Sequence, residues 1–349
     1  MRRYRGYGAY RGRNRGRTVL KVLIVVLLIL LALGVGALIW LDGHVVYSAD
    51  GVTIDLPSFL HGQQPEQESM QVTVTTPTPV PPTPTPTPEP EEPFRGVMLP
   101  TSALTDGTAL AQVEAAGANA AIFDMKTDGG QLGYVSSLPL AVQTGATAAG
   151  ESLNDAIRKL NDGDVYTVAR ISCLRDNIVP RAEMPLALHT NAGNWRDWGD
   201  YRWLSPFNEQ AVDYVCGVCR ELAGLGFDEI LLDNWAFPTQ GELSWLKQDD
   251  NYDPDGETQA LDAFLQQVRT QLDAFPEVTL SLVTTPTVLA GGTEGGQTLE
   301  LLNTYADRVL AEPEEGAALP QAGTLEVVPI AEQTGTPQES WAVLSTTGE

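Results

Sequence analysis

The sequence predicts an α/β protein, a (β/α)8 barrel of the TIM type with an abbreviated C-terminal end, preceded by a transmembrane helix and a disordered Thr/Pro stalk. Three observations lead there. From Phe94 onward, short apolar runs alternate with amphipathic stretches. Runs such as Ala120–Met125 and Glu229–Asp233 are almost continuously apolar, as strands buried on both faces of a parallel sheet must be. Eight such runs over about 255 residues suit a closed barrel.

The segments before the barrel read in order. Residues 1–21 hold seven arginines and Lys21 with no acid, a basic cytoplasmic head. Residues 22–41, VLIVVLLILLALGVGALIWL, contain no charge. As a helix they span roughly 30 Å, the thickness of a bilayer core. Positive charge on the N-terminal side places the head in the cytoplasm and everything after Leu41 outside, at the cell membrane in single-pass topology. The run is longer than a signal-peptide core, and Tyr47 spoils the nearest cleavage-like site, Tyr47-Ser48-Ala49, so a retained signal-anchor is expected. Residues 42–71 form a short juxtamembrane segment with one small hairpin, strand His44–Tyr47 turning through Ala49-Asp50-Gly51 into Val52–Leu56. Residues 72–93, VTVTTPTPVPPTPTPTPEPEEP up to the first barrel strand, alternate Thr and Pro. Such a chain favours polyproline II and makes a spacer of roughly 60–70 Å.

Residues 94–349 are the barrel. Strands are expected at Arg95–Leu99, Ala120–Met125, Val165–Ile171, Glu229–Asp233, Thr279–Val283, Arg308–Ala311, Leu325–Ile330 and Trp341–Leu344. Helices are expected at about 108–116, 152–161, 208–224, 258–274 and 297–305. The fourth shows the helical period plainly, with Leu261, Phe264, Leu265, Val268 and Leu272 on one face. Only 313–324, rich in Pro, Gly and Glu, separates strands six and seven, and nothing helical separates seven and eight; hence the abbreviated end.

Charge excludes one class of partner. The chain carries a net −24, and beyond Lys21 it has 13 basic against 45 acidic residues. A body this acidic repels phosphate backbones, so no nucleic acid is expected. Three cysteines make no disulfide framework. Cys216 and Cys219 have zinc spacing, but they fall inside an amphipathic helix without further ligands and read as buried core. The acidic run Asp249–Glu257 lacks an EF-hand register and reads as a solvated loop. No metal or cofactor is expected.

Barrel chemistry gathers at the C-terminal ends of strands. Strand two ends in Asp124-Met125-Lys126-Thr127-Asp128-Gly129-Gly130, strand three in Ala169-Arg170-Ile171, and strand four in Asp233-Asn234-Trp235. Strand six ends in Glu312 and strand seven near Glu332. Paired carboxylates can protonate a leaving oxygen and attack a sugar or activate water. The catalytic candidates are therefore Asp233, Asp124, Asp128 and Glu312. Arg170, Lys126, Asn234, Trp235 and Trp203 are the substrate-binding candidates, with Trp195 a further aromatic face for sugar rings. Asp124 and Asp128 have a second reading, as side chains that fix the glycine turn at 129–130. Arg170 has one too, as a structural partner of Asp124 or Asp233.

Five segments in order over about 145 residues resemble the bacterial putative glycosyl hydrolase domain family, which comprises α-amylase-like barrels. They are Phe94-Arg95-Gly96-Val97-Met98, Ile122–Gly130, Ala169-Arg170-Ile171, Trp203-Leu204-Ser205-Pro206 and Gly226-Phe227-Asp228-Glu229-Ile230-Leu231-Leu232-Asp233-Asn234-Trp235-Ala236-Phe237-Pro238. The resemblance implies that Asp233 holds the catalytic-carboxylate position. The sequence departs from the family at Ala236, where an arginine is usual. It departs again at Leu280–Thr285, where strand five ends without the usual acid. Two classes of function follow. One is a membrane-anchored glycoside hydrolase acting on a cell-wall polysaccharide, such as the glycan of peptidoglycan, or on an environmental one. The other is a catalytically decayed barrel that binds carbohydrate or the wall. The topology has its own check: protease treatment of intact cells is expected to release a fragment beginning within residues 72–94, and a domain protected until lysis would overturn it.

Overall fold

The computed structural model describes residues 45–48, 51–54 and 92–345. The basic head, the 22–41 span and the 72–93 linker, apart from its last two residues, lie outside the described residues. Among the described residues no helix is long and apolar enough to cross a membrane. The chain divides into two units, Met1–Thr87 and Pro88–Glu349. In the first, Val45–Ser48 pairs antiparallel with Gly51–Ile54, with Ser48 opposite Gly51; this is the small hairpin expected around Asp50.

The second unit is a near-closed barrel sheet of eight parallel strands. They are β1 (Arg95–Met98), β2 (Ala120–Lys126), β3 (Tyr166–Ser172), β4 (Glu229–Asp233), β5 (Thr279–Thr284), β6 (Arg308–Ala311), β7 (Glu326–Pro329) and β8 (Trp341–Val343). Their order is β7-β6-β5-β4-β3-β2-β1-β8. The two outer strands meet through one bridge, Ile330 opposite Ala342, where Ala331 N donates to Ala342 O at 2.8 Å. Five helices pack outside: α1 (Ala109–Ala115), α2 (Leu153–Asn161), α3 (Glu209–Gly224), α4 (Glu257–Leu272) and α5 (Leu299–Tyr305). Among the described residues no helix follows β6 or β7, so the end is abbreviated as the sequence implied. Each expected strand and helix is present, with ends displaced by one or two residues. The one-turn helices at Ala103–Asp106, Pro139–Thr144, Val179–Ala182 and Pro286–Leu289, and the ribbon pairing His189–Thr190 with Gly193–Asn194, are too short to leave a periodic signal.

The strands form because their residues serve two cores at once. Alternate side chains point to opposite faces. One set, including Ile122, Val168, Leu231, Leu310 and Val328, packs inside the barrel. The other, including Phe123, Ala169, Ile230 and Leu282, packs against the helices. There α4 presents Leu261, Phe264, Leu265, Val268 and Leu272, all buried. Helix α3 starts where the Asn208 side chain accepts from Gln210 N and Ala211 N, which caps two otherwise unpaired donors. Its Cys216 and Cys219 are free and buried. Burial pushes the Cys216 thiol up to about 12, which leaves an inert core side chain rather than a metal ligand or redox centre.

Polar residues close the bottom of the barrel. Glu229 is completely buried and binds the Arg308 guanidinium, while accepting from Ser281 Oγ at 2.5 Å and Tyr166 Oη at 2.9 Å. Arg308 Nε also donates to Glu326 Oε2 at 2.7 Å, and Glu326 Oε1 accepts from Ser340 Oγ at 3.0 Å. Ser340 immediately precedes β8, so a side chain links β7 to β8 where the backbone ladder is thin. Burial raises the Glu229 pKa, and Arg308 opposes it. Removing Arg308 leaves a buried carboxylate without its cation. Arg308→Met is therefore expected to cost about 3–5 kcal/mol in a denaturant titration, with part of the loss recovered in Arg308→Met/Glu229→Gln. An unchanged midpoint would show that the plug bears no load.

Candidate functional site

Asp124, Arg170 and Asp233 stand at the ends of the inward rows of β2, β3 and β4, above the apolar layer of the barrel. Arg170 is their centre. Its Nη1 donates to Asp124 Oδ1 at 3.0 Å, and its Nη2 to Asp128 Oδ1 at 2.8 Å. Both Nε and Nη2 donate to Asp233 Oδ2, at 3.0 and 2.5 Å. Asp124 and Asp128 thus bind the arginine and not the glycine turn, which is held by Thr127 through its carbonyl to Gly130 N and its hydroxyl to Gln131 N. Arg175 extends the network. Its Nη1 donates to Asp128 Oδ2 and its Nε to Asp197 Oδ2, both at 2.9 Å. Trp203 Nε1 donates to the same Asp197 oxygen at 3.0 Å.

Asn234 makes the turn out of β4. Its φ is 47°, in the left-handed region, which Asn tolerates better than most residues. Its amide N donates to Asp233 Oδ1 at 2.7 Å. Its Nδ2 donates to Ser172 Oγ at 3.1 Å and Asp128 Oδ1 at 3.3 Å. The residue fixes the Asp233 carboxylate and reaches across to Asp128 in the loop after β2.

Charge sorts the carboxylates. Four of them, Asp124, Asp128, Asp197 and Asp233, share two guanidiniums, which is too little positive charge for all four. Burial raises the Asp124 pKa, and Asp128 and Asp233 add to the rise against the pull of Arg170. Burial also works upward on Asp128, but Arg170 and Arg175 outweigh it and hold its carboxyl below the usual range. Burial works against the Arg170 charge, yet Asp233, Asp124 and Asp128 outweigh it and keep the guanidinium protonated.

Three expectations about the site are corrected. Lys126 is not a ligand-facing residue. The β2–β3 ladder slips between Asp124 and Lys126, so Asp124 lies opposite Arg170 but Lys126 lies opposite Ile171. The irregularity takes Lys126 out of the inward row. Its completely buried Nζ donates to Ser172 O at 2.7 Å and lies 3.0 Å from buried Asp176. Gly130 belongs to the same buried unit: at φ 93°, a Cβ there would fall 2.3 Å from Asp176 Oδ1. The tryptophans are not open platforms either, although Trp203 and Trp235 do line the cleft at Asp233. Trp235 and Trp195 are 1% exposed and Trp203 is 7% exposed. Their indole N–H groups are spent on Val283 O, Glu242 O and Asp197. Glu312, finally, is exposed beyond β6 and does not line the cleft at Asp233.

That cleft has a volume of about 250 Å³, and Asp233, Asn234, Arg175, Asp197, Glu294 and Gln297 are among its walls. Sequence reasoning missed Glu294. Strand β5 ends without an acid, but the following loop brings this one in, and Thr285 Oγ1 donates to its Oε2 at 2.7 Å. The signal was Gly291-Gly292-Thr293-Glu294-Gly295-Gly296, an acid between glycine pairs. Gly295, at φ 54°, packs where a Cβ would lie 2.4 Å from Phe237 O. Thr284 Oγ1 and Gln297 Oε1 are buried in the cleft lining without a hydrogen-bond partner, polar atoms that a ligand hydroxyl would satisfy. Among the described residues no group of His, Cys, Asp and Glu is arranged to hold a metal.

The fold and site define an α/β barrel with a carboxylate–arginine cluster at the C-terminal ends of its strands. The family described as putative glycosyl hydrolase domain matches residues 100–311, and the chain belongs to it. No curated protein matches the chain. Among solved structures, a hypothetical protein from Ruminiclostridium thermocellum ATCC 27405 is similar at 25% identity and a TM-score of 0.46, over 53% of this chain and 96% of that one. The PgaB (BpsB) glycoside hydrolase domain from Bordetella bronchiseptica is similar at 17% identity and a TM-score of 0.45, over 64% and 74%. Alpha-L-fucosidase isoenzyme 2 from Paenibacillus thiaminolyticus is similar at 15% identity and a TM-score of 0.48, over 68% and 40%.

The charge balance is open to measurement. Arg170→Met leaves three facing carboxylates without their shared cation, and is expected to cost about 3–5 kcal/mol near neutral pH. Protonation below about pH 4 removes the repulsion, so the deficit shrinks in acid. Urea titrations at both pH values check this; equal deficits would show that Arg170 serves packing alone.

Proposed function

We propose that the chain is a glycoside hydrolase, anchored by residues 22–41 with its barrel outside the membrane, and acting on a cell-wall or environmental polysaccharide. The single observation that carries the catalytic reading is the Arg170 cluster. It joins Asp124 and Asp233 through one guanidinium, while burial pushes the Asp124 carboxyl upward and the two arginines hold Asp128 down. Two carboxyls held in different protonation states are what glycoside cleavage requires. In this reading Asp124 donates its proton to the leaving glycosidic oxygen. Asp233 attacks the anomeric carbon or activates water. Asp128, doubly paired to arginine, stays charged and holds Arg170 in place. Glu294, Thr284 and Gln297 contact sugar hydroxyls in the cleft. Anchoring is supported by the basic head, the uncharged span and the Thr/Pro spacer.

A second reading rests on a specific observation. Both oxygens of Asp233 are engaged, Oδ2 by Arg170 and Oδ1 by Asn234 N. A barrel that kept this arrangement under ligand would bind carbohydrate without cleaving it.

A glycan-hydrolysis screen separates the two. Asp233→Asn and Asp124→Asn are each expected to lower kcat by ~10²–10⁴-fold. Activity needs Asp124 protonated, so the rate of the unaltered chain should fall as pH rises through the elevated Asp124 pKa. Asp124→Asn should lose that alkaline limb. Turnover unchanged in Asp233→Asn would remove it from the mechanism, and glycan binding with no turnover in the unaltered chain would establish the binding reading.

A further inference from the structure

The barrel segment 94–349 holds 13 basic against 37 acidic residues. Four of the 13 nevertheless gather on its C-terminal face, in the loops that follow β3 and β4. Arg181, Arg196 and Arg202 line a groove of about 410 Å³ together with Thr190 and Asn194. A second groove, of about 640 Å³, shares Thr190, Asn194 and Arg196 with the first and adds Trp245 and Lys247. No carboxylate lines either groove. In a surface this acidic, such a stretch is a local reversal of sign.

Side-chain partners sharpen the picture. Arg202 is 7% exposed, and its Nη1 donates to Asn177 Oδ1 at 2.9 Å. Among the described residues neither Arg202 nor Arg181 has a carboxylate within ion-pair distance, whereas Arg196 pairs with exposed Asp200 and Lys247 with Asp249. Desolvation and the nearby Arg196 and Arg181 lower the Arg202 pKa, against the pull of Asp200. Three guanidiniums crowd together with too little negative charge between them, an arrangement that an anion relieves. Asn194 Oδ1 is buried without a hydrogen-bond partner, an acceptor suited to a hydroxyl. Trp245 is 66% exposed, the open aromatic face that Trp235, Trp203 and Trp195 do not provide. Arg196 lies between Trp195, which walls the second groove, and Asp197, which walls the cleft at Asp233.

We infer that these joined grooves are a subsite for an anionic polysaccharide, with the carboxylate or phosphate of a sugar residue on Arg181, Arg196 and Arg202 and an adjacent ring stacked on Trp245. Cations alone would take any polyanion, but a cation cluster beside an exposed indole and an unpaired acceptor matches a charged sugar. The inference rests on the reading of the barrel as carbohydrate-active. It names the substrate class: a chain whose charged residues occupy the grooves while a glycosidic bond lies at Asp233.

The test is binding by the full chain carrying Asp233→Asn, measured by calorimetry against polygalacturonate, phosphomannan, neutral dextran and duplex DNA. One or both anionic glycans are expected to bind in a salt-sensitive manner, and which of them binds identifies the charged group. Arg181→Gln/Arg196→Gln and Trp245→Ala, all at exposed side chains, are each expected to weaken that binding tenfold or more. Equal binding of dextran, binding indifferent to these substitutions, DNA binding as tight as glycan binding, or no binding of either anionic glycan would each overturn the inference. Its failure is distinguishable from failure of the catalytic reading. Cleavage of neutral glycans without anionic binding refutes only the subsite, and anionic binding by a chain that cleaves no glycan refutes only the catalysis.

Discussion

One guanidinium holds the mouth of this barrel together. The inward rows of β2 and β4 each end in aspartate, and that of β3 between them ends in arginine. Without Arg170, Asp124, Asp128 and Asp233 would face one another across a partly buried space at high electrostatic cost. With it, the planar fork of donors accepts all three from different directions and fixes their relative positions. A lysine could neutralise one charge but could not set three geometries. Arg175 then ties the cluster to Asp197 and Trp203, so that the loop after β3 is anchored by the same charges that shape the site.

The shortage of positive charge sets the carboxyls of the site apart from one another. A fully neutralised cluster would be a structural clasp. Here the carboxyls exceed the arginines: Asp128 is paired to both of them, while Asp124 and Asp233 are each paired to Arg170 alone. Desolvation then raises the Asp124 pKa, while the two arginines hold that of Asp128 down. The contrast between Asp124 and Asp128 thus arises from burial and pairing on a rigid frame.

The sequence was legible where a periodicity or a run ends in a charged residue. Period-two burial and the apolar runs revealed all eight strands, and the strand ends revealed Asp124, Arg170 and Asp233. What was not legible depended on departures from regularity. A slip of the ladder at Lys126 turned an inward-facing lysine into the buried partner of Asp176, and no residue pattern announces such a slip. The tryptophans stood at the expected places, but their exposure is decided by loops folding over them. Glu294 comes from a loop rather than a strand, and its glycine-flanked setting acquires meaning only when Phe237 is seen packed against Gly295. Trp245 and the arginine grooves were invisible because their residues come from two separate loops.

The thin junction between β7 and β8 has a dynamic consequence. Around the ring it lies opposite β3 and β4, the strands that carry Arg170 and Asp233. Amide hydrogens of Glu326–Val328 and Trp341–Val343 belong to the part of the sheet with the fewest ladder bonds, and this is where local opening needs the least free energy. The strands bearing Arg170 and Asp233 pair with each other along five residue pairs and with neighbours on both outer sides. The weakest junction of the barrel therefore lies on the side of the ring remote from the charges.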